Sequence, residues 1–197
     1  MSRAFLIVAT LATLAACSQP ETKAVEAPAQ TSPSEAMAAY TAAATVLFSG
    51  GQPITPAEVT AMVAAQGAQP TVAALYGDGE KTRWTTVMAG VASGAAEWLA
   101  LVPALIPGTE NATSYEIQDA LKAAMVVEPS AVLVLLDERD PMLSTEAVCA
   151  AAGIEQTPEW YAAYYDALTP AVESVTDPAL SEKKSACLTI LKARVAS

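Results

Sequence analysis

The chain contains no histidine. That absence removes the serine–histidine and cysteine–histidine nucleophile systems, together with the commonest transition-metal ligand. Basic residues are scarce too: ten Lys and Arg stand against twenty-one Asp and Glu, a formal net charge of −11. So acidic a surface does not bind nucleic acid by neutralising phosphates, and no nucleic-acid partner is expected. It is also repelled by anionic lipid heads, while a cationic partner is permitted without being implied. No glycine-rich phosphate loop is present, since Ser49-Gly50-Gly51-Gln52 lacks the lysine and the flanking strand that such a loop requires. Neither a cofactor nor a metal site is expected.

Only three cysteines occur, and the first stands apart. Arg3 gives a short basic start, Ala4 to Leu14 form an apolar run broken only by threonines, and the run ends in Leu14-Ala15-Ala16-Cys17. A basic start, a short apolar core and small residues at the cut define a cleavable secretory signal. The stretch falls short of the roughly 20 apolar residues of a spanning helix. Leu14-Ala15-Ala16-Cys17 resembles the lipobox of bacterial lipoproteins, in which the thiol receives a diacylglyceryl group and the chain is cut just before it. The resemblance implies that residues 1–16 are a signal peptide and that Cys17 is the lipidated N-terminus, facing the periplasm. Ser18, in place of Asp, resembles outer-membrane sorting. One acyl chain holds marginally and two hold stably, at about 0.8 kcal/mol per buried methylene. A membrane partner through the lipid anchor is therefore expected.

Removal of residues 1–16 takes away Arg3 alone among charged residues and moves the formal charge from −11 to −12. Residues 17–31 read as the lipidated N-terminus and a polar, proline-containing tether. As a flexible coil it would span about 20 Å. Residues 32–197 are long enough for one domain with a real core. Cys149 and Cys187 remain, and in an oxidising compartment pairing is their simplest use. Two separately buried thiols are the alternative. A bridge between them would contribute about 4 kcal/mol on the chain-entropy argument.

Helix starts recur along the domain. Ser32-Pro33-Ser34-Glu35, Thr55-Pro56-Ala57-Glu58 and Thr113-Ser114-Tyr115-Glu116 each carry a capping-box pattern, and Thr157-Pro158 and Asp177-Pro178 place proline at a first helical position. Trp84, Val87, Met88 and Val91 fall at i, i+3, i+4 and i+7, as do Trp98, Leu101, Val102 and Leu105. Pro103 should kink or shorten the second of these helices. Residues 131–136 could form a buried strand or a buried helix; Pro129 and the helical surroundings favour helix. The predicted fold is all-α, with stacked helical hairpins in a repeat-like arrangement, either an α-solenoid or an irregular bundle.

Catalytic candidates are thin. Glu97 beside Trp98, with Asp78 and Glu80 upstream, could in principle supply the paired carboxylates of a glycan-cleaving enzyme. Glu97 reads more simply as the acidic first turn of its helix. Asp137-Glu138-Arg139-Asp140 lacks the alternating acids and glycine of a calcium loop and reads as a solvated turn. Trp160, Tyr164 and Leu168 share one helix face and Tyr161 and Tyr165 the next, so Tyr161 and Tyr165 form a candidate partner surface.

The series Trp84, Val87, Gly90, Val91, Ser93, Gly94, Trp98 and Leu99 resembles a stretch of uncharacterised proteobacterial secreted helical proteins. Ala120-Leu121, Pro129 with Val132-Leu133, and the two later cysteines extend the resemblance over residues 72–190. It implies a shared helical fold and the disulfide, and nothing catalytic. Gly90 should mark a close helix crossing and Gly94 a helix stop. The expected function is that of a membrane-anchored periplasmic protein acting as a protein-binding or structural module. A wall-acting hydrolase using carboxylates only, or an envelope immunity or inhibitor protein, is the alternative.

Overall fold

Thr55 opens the first described helix by the predicted reciprocal cap. Its hydroxyl accepts from the Glu58 backbone N–H at 3.3 Å, and the Glu58 carboxylate accepts from the Thr55 N–H at 2.8 Å. Helix α1 (Pro56–Gln66) ends at Gly67, whose φ of 83° suits a residue without a side chain. In the computed structural model the described residues are 49–77, 82–150 and 158–195, with the backbone alone described for 158–161 and 194–195. Cys17, the tether and the Ser32 capping box lie outside them, as do Asp78, Glu80 and Thr157. The described residues belong to one compact unit, and every regular element among them is helical.

Helix α2 (Ala68–Tyr76) follows α1 directly and buries Thr71, Val72 and Leu75. Helix α3 (Arg83–Ala92) buries Trp84, Val87, Met88 and Val91, the whole predicted stripe. It stops at Gly94, which has φ 75°. The apolar series from Trp98 to Leu105 is divided into two single turns, α4 (Ala96–Leu99) and α5 (Val102–Leu105). Pro103 lies in the first turn of α5, where its missing N–H removes no helical bond. A 3₁₀ turn, Ile106–Gly108, closes this stretch, which turns 117° away from α3. Among the described residues no single helix is long and apolar enough to cross a membrane.

Helix α6 (Ala112–Val127) occupies the centre. Every residue from Ala120 to Val126 is buried, Lys122 included. Such all-round burial marks a helix enclosed by others, and α6 packs against α3, α7 (Pro129–Leu135), α8 (Thr145–Cys149) and α9 (Pro158–Glu173). Residues 129–135 are helical, as favoured from the sequence, with Val132 and Leu133 in the core. Helix α9 supplies Tyr164, Leu168 and Val172 and runs through Pro170 without a break. Asp177 starts a 3₁₀ turn, Pro178–Leu180, rather than an α-helix, and this turn leads straight into α10 (Ser181–Val195). The Lys184 ammonium then donates to the carbonyls of Glu173 and Val175, each at 2.7 Å. A cation at the C-terminal end of α9 satisfies acceptors that the helix itself leaves open.

One covalent bond crosses this core. Cys149 at the end of α8 is bonded to Cys187 on α10, with Cα atoms 5.5 Å apart and both residues fully buried.

Thr113 is not a helix cap: α6 starts at Ala112, and the Thr113 hydroxyl exchanges hydrogen bonds with the Glu110 backbone, accepting from its N–H and donating to its carbonyl, both at 2.9 Å. Glu116 does not return to Thr113, because Trp84 claims its carboxylate.

Candidate functional site

A cleft of about 320 Å³ opens between α2 and the corner that leads into α6. Its buried floor is Val72, Gly108 and Thr113. Gln69, Ala73 and Tyr76 form one exposed rim, and Glu110, Asn111 and Ala112 the other. The walls meet closely beneath the cleft: a Cβ on Gly108 would lie 2.4 Å from the Ala68 carbonyl carbon. Only glycine allows the two backbones to come so near. The rims are joined by a hydrogen bond from the Gln69 side-chain amide to Glu110 Oε1 at 3.0 Å. Asn111, with φ 42°, is the one non-glycine residue of positive φ among those described, and it swings the chain into α6.

Tyr76 is 39% exposed and Tyr115, one helical step beyond Ala112, is 55% exposed. Residues three apart on a helix are surface neighbours, so Tyr115 follows Ala112 along the exposed side of α6. Aromatic side chains with a polar tip are enriched in contact surfaces. Neither tyrosine stood out in the sequence, since nothing local separates an exposed tyrosine from a half-buried one.

A second group of polar side chains lies deeper on α6. The Trp84 indole N–H donates to Glu116 Oε2 at 2.6 Å, and Lys122 Nζ lies 3.5 Å from Asp119 Oδ1. Burial pushes the Glu116 and Asp119 carboxyls above their ordinary range; the bond from Trp84 opposes this for Glu116, and the Lys122 charge opposes it for Asp119. Burial likewise pulls the Lys122 ammonium down against the pull of Asp119. The i, i+3 spacing of Asp119 and Lys122 was visible in the sequence. That the pair sits inside was not.

Glu97 is exposed in the first turn of α4. Tyr165 is half-buried, packed on the core with its ring edge-on to Tyr164 at 5.3 Å between centroids. The backbone of Tyr161 is helical, and its side chain is outside the described residues. Ser49-Gly50-Gly51-Gln52 is structural: the Gln52 carbonyl accepts from the Thr86 hydroxyl at 2.6 Å, and the Gln52 N–H donates to the Thr82 carbonyl at 3.1 Å.

The acidic turn is closed by its own donors. Asp137 accepts from Arg139 Nε at 2.9 Å and Nη2 at 2.7 Å, which holds its carboxyl down to about 2. Glu138 accepts from the Thr145 N–H and hydroxyl, and Asp140 accepts from the Met142 N–H at 2.9 Å. Among the described residues no group of three Cys, Asp or Glu side chains is arranged to hold a metal ion.

No protein-family model matches the chain, and no curated protein and no solved structure matches it.

Proposed function

We propose that this chain is a lipid-anchored protein of the cell envelope, held at its membrane through Cys17 and facing the periplasm, that works by binding another protein. The observation that carries the reading is the division of labour among its three cysteines. Cys17 follows a signal-like segment that resembles a lipobox, and the other two form a buried bridge between α8 and α10. A disulfide of that kind persists in an oxidising compartment, which is where a secreted lipoprotein resides. Ser18 favours the outer membrane as its destination. In the finer form of the reading, the helices stack as a repeat-like series of hairpins that presents an aromatic face to the partner. Exposed Tyr76 and Tyr115 support that face, and Tyr161 and Tyr165 are its second candidate.

Two measurements test it. Intact mass of the membrane-extracted protein should show a chain beginning at Cys17 with at least two acyl groups, and Cys17→Ala should release the protein from the membrane fraction. An unmodified N-terminus would end the lipoprotein reading. Cross-linking of the full chain in whole cells should then give one defined product that Tyr76→Ala/Tyr115→Ala or Tyr165→Ala diminishes. A product pattern unaffected by both would end the protein-binding reading.

A further inference from the structure

The sequence holds a single asparagine, Asn111, and the backbone bends sharply at it. Its φ of 42° and ψ of −108° lie near the values of about +60° and −120° at the first central position of a type II′ turn. The turn is Glu110–Thr113, closed by the Thr113 N–H donating to the Glu110 carbonyl at 3.0 Å. The Thr113 hydroxyl, bonded to both the N–H and the carbonyl of Glu110, holds the turn further. Asn111 and Ala112 are both exposed.

Substituents on a tetrahedral Cα stand about 120° apart, so a ψ near −120° swings Cβ into line with the nitrogen of the next residue. The helical and extended values of ψ keep the two apart. At Asn111 only rotation about Cα–Cβ remains before the side-chain amide carbon meets the Ala112 nitrogen. That nitrogen is also prepared for attack. Ala112 is the first residue of α6, so its N–H has no acceptor within the helix. The Asn111 carbonyl, in the same peptide group, accepts from the Ser114 and Tyr115 N–H at 3.2 and 3.3 Å. When the Ala112 nitrogen gives up its proton, charge spreads onto that oxygen. Two N–H donors and the positive end of α6 stabilise it there. The neighbouring carboxylate, Glu110, is held by the Gln69 amide at 3.0 Å.

We propose that Asn111 is a site of self-modification, where the fold promotes succinimide closure and hydrolysis to aspartate and isoaspartate. The Ala112 nitrogen attacks Asn111 Cγ. A C–N bond forms, the bond from Cγ to the amide nitrogen breaks, and ammonia leaves with the Ala112 proton. Water then opens the ring at one of its two carbonyls and releases a proton. Opening at the main-chain carbonyl leaves the chain running through the side-chain carbon, which lengthens it by one methylene. Asn111 lines the cleft, so either product places a new carboxylate on its rim.

The test incubates the full-length chain, folded in detergent or unfolded in guanidinium chloride, at one mildly alkaline pH and one temperature. Intact mass follows the exchange of an amide for a carboxyl. Isomerisation at Asp78-Gly79 also yields isoaspartate but leaves the mass unchanged. The folded chain should convert about tenfold faster than the unfolded one, because the reacting atoms are already aligned. Peptide mapping should place the change at Asn111, and a species lighter by ammonia is the succinimide itself. Asn111→Gly suits the positive φ and should show no conversion. A folded rate equal to or below the unfolded one, or a mass gain that persists in Asn111→Gly, would overturn the proposal.

Discussion

The indole N–H of Trp84 donates to the carboxylate of Glu116 at 2.6 Å, joining the core face of α3 to α6 across thirty-two residues of sequence. Trp84 is buried, so its N–H needs an acceptor inside the protein. Glu116→Ala should therefore lower unfolding free energy by about 1–3 kcal/mol, the penalty of an unsatisfied buried donor. Glu116→Gln keeps a carbonyl acceptor and should cost less than about 1 kcal/mol. Denaturant titration of both variants checks the order. Equal losses would mean that the hydrogen bond does not hold this contact.

Stability should pass through a maximum on the acid side of neutrality. Glu116 and Asp119 are protonated more readily in the folded chain, because burial opposes their charge. Folding thus takes up protons at these two groups, and their contribution falls as pH rises above the ordinary values of 4.5 and 3.8. Asp137 has the opposite sign. Hydrogen bonds from Arg139 hold it at about 2, so its contribution is present above 3.8 and is lost as pH falls toward 2. Thermal melts between about pH 2 and 8 should rise on mild acidification and then fall. Glu116→Gln should flatten the upper limb and Asp137→Asn the lower one. An upper limb unchanged by Glu116→Gln would contradict the assignment.

Gly90 faces the Trp98 ring, and a Cβ there would lie 2.3 Å from the indole Cδ2. The close approach read from the sequence is real, but what approaches is a side chain on α4 and not a second helix backbone. Alanine is favoured over glycine within a helix by about 1 kcal/mol, whereas overpacking costs about 1–3 kcal/mol. Gly90→Ala should accordingly destabilise the native chain and stabilise a Trp98→Ala background. The same sign in both backgrounds would remove Trp98 as the cause.

Replacing Cys149 and Cys187 together by alanine should lower stability by about 2–4 kcal/mol. The loss should be uneven. Helix α10 buries few of its own residues, chiefly Cys187 and Leu191, whereas α3 and α6 lie in the middle of the core. Hydrogen exchange should therefore rise more along α10 than along α3. A uniform rise would show that the bridge supports the whole unit equally.

What was legible in the sequence was local or set by elimination. The Thr55–Glu58 cap, the Trp84–Val91 stripe and the break just before Pro103 each depend on residues within about two helical turns. The disulfide was legible because only two cysteines remained once Cys17 was assigned elsewhere. Thr113 to Glu116 carries the same four-residue pattern as Thr55 to Glu58, yet it does not cap, because Trp84 offers Glu116 a buried partner that no local pattern reveals. Helix α2 went unread, since Gly67 and Pro70 obscure a short apolar period. The cleft was equally invisible. Its walls are some forty residues apart, and they meet through Gly108 and the backbone of Ala68.

The Cys149–Cys187 bond closes a covalent ring that contains the whole of α9. A protease that cuts once inside that ring leaves both pieces attached, so nicked protein should migrate as one species until it is reduced. Tension has the same detour available. A pull on the C-terminal end of α10 passes through two sulfur atoms to α8 and from there to the central helix α6, and it bypasses α9. The helix carrying Tyr164 and Tyr165 is thereby spared that load, and a cut within it releases no fragment.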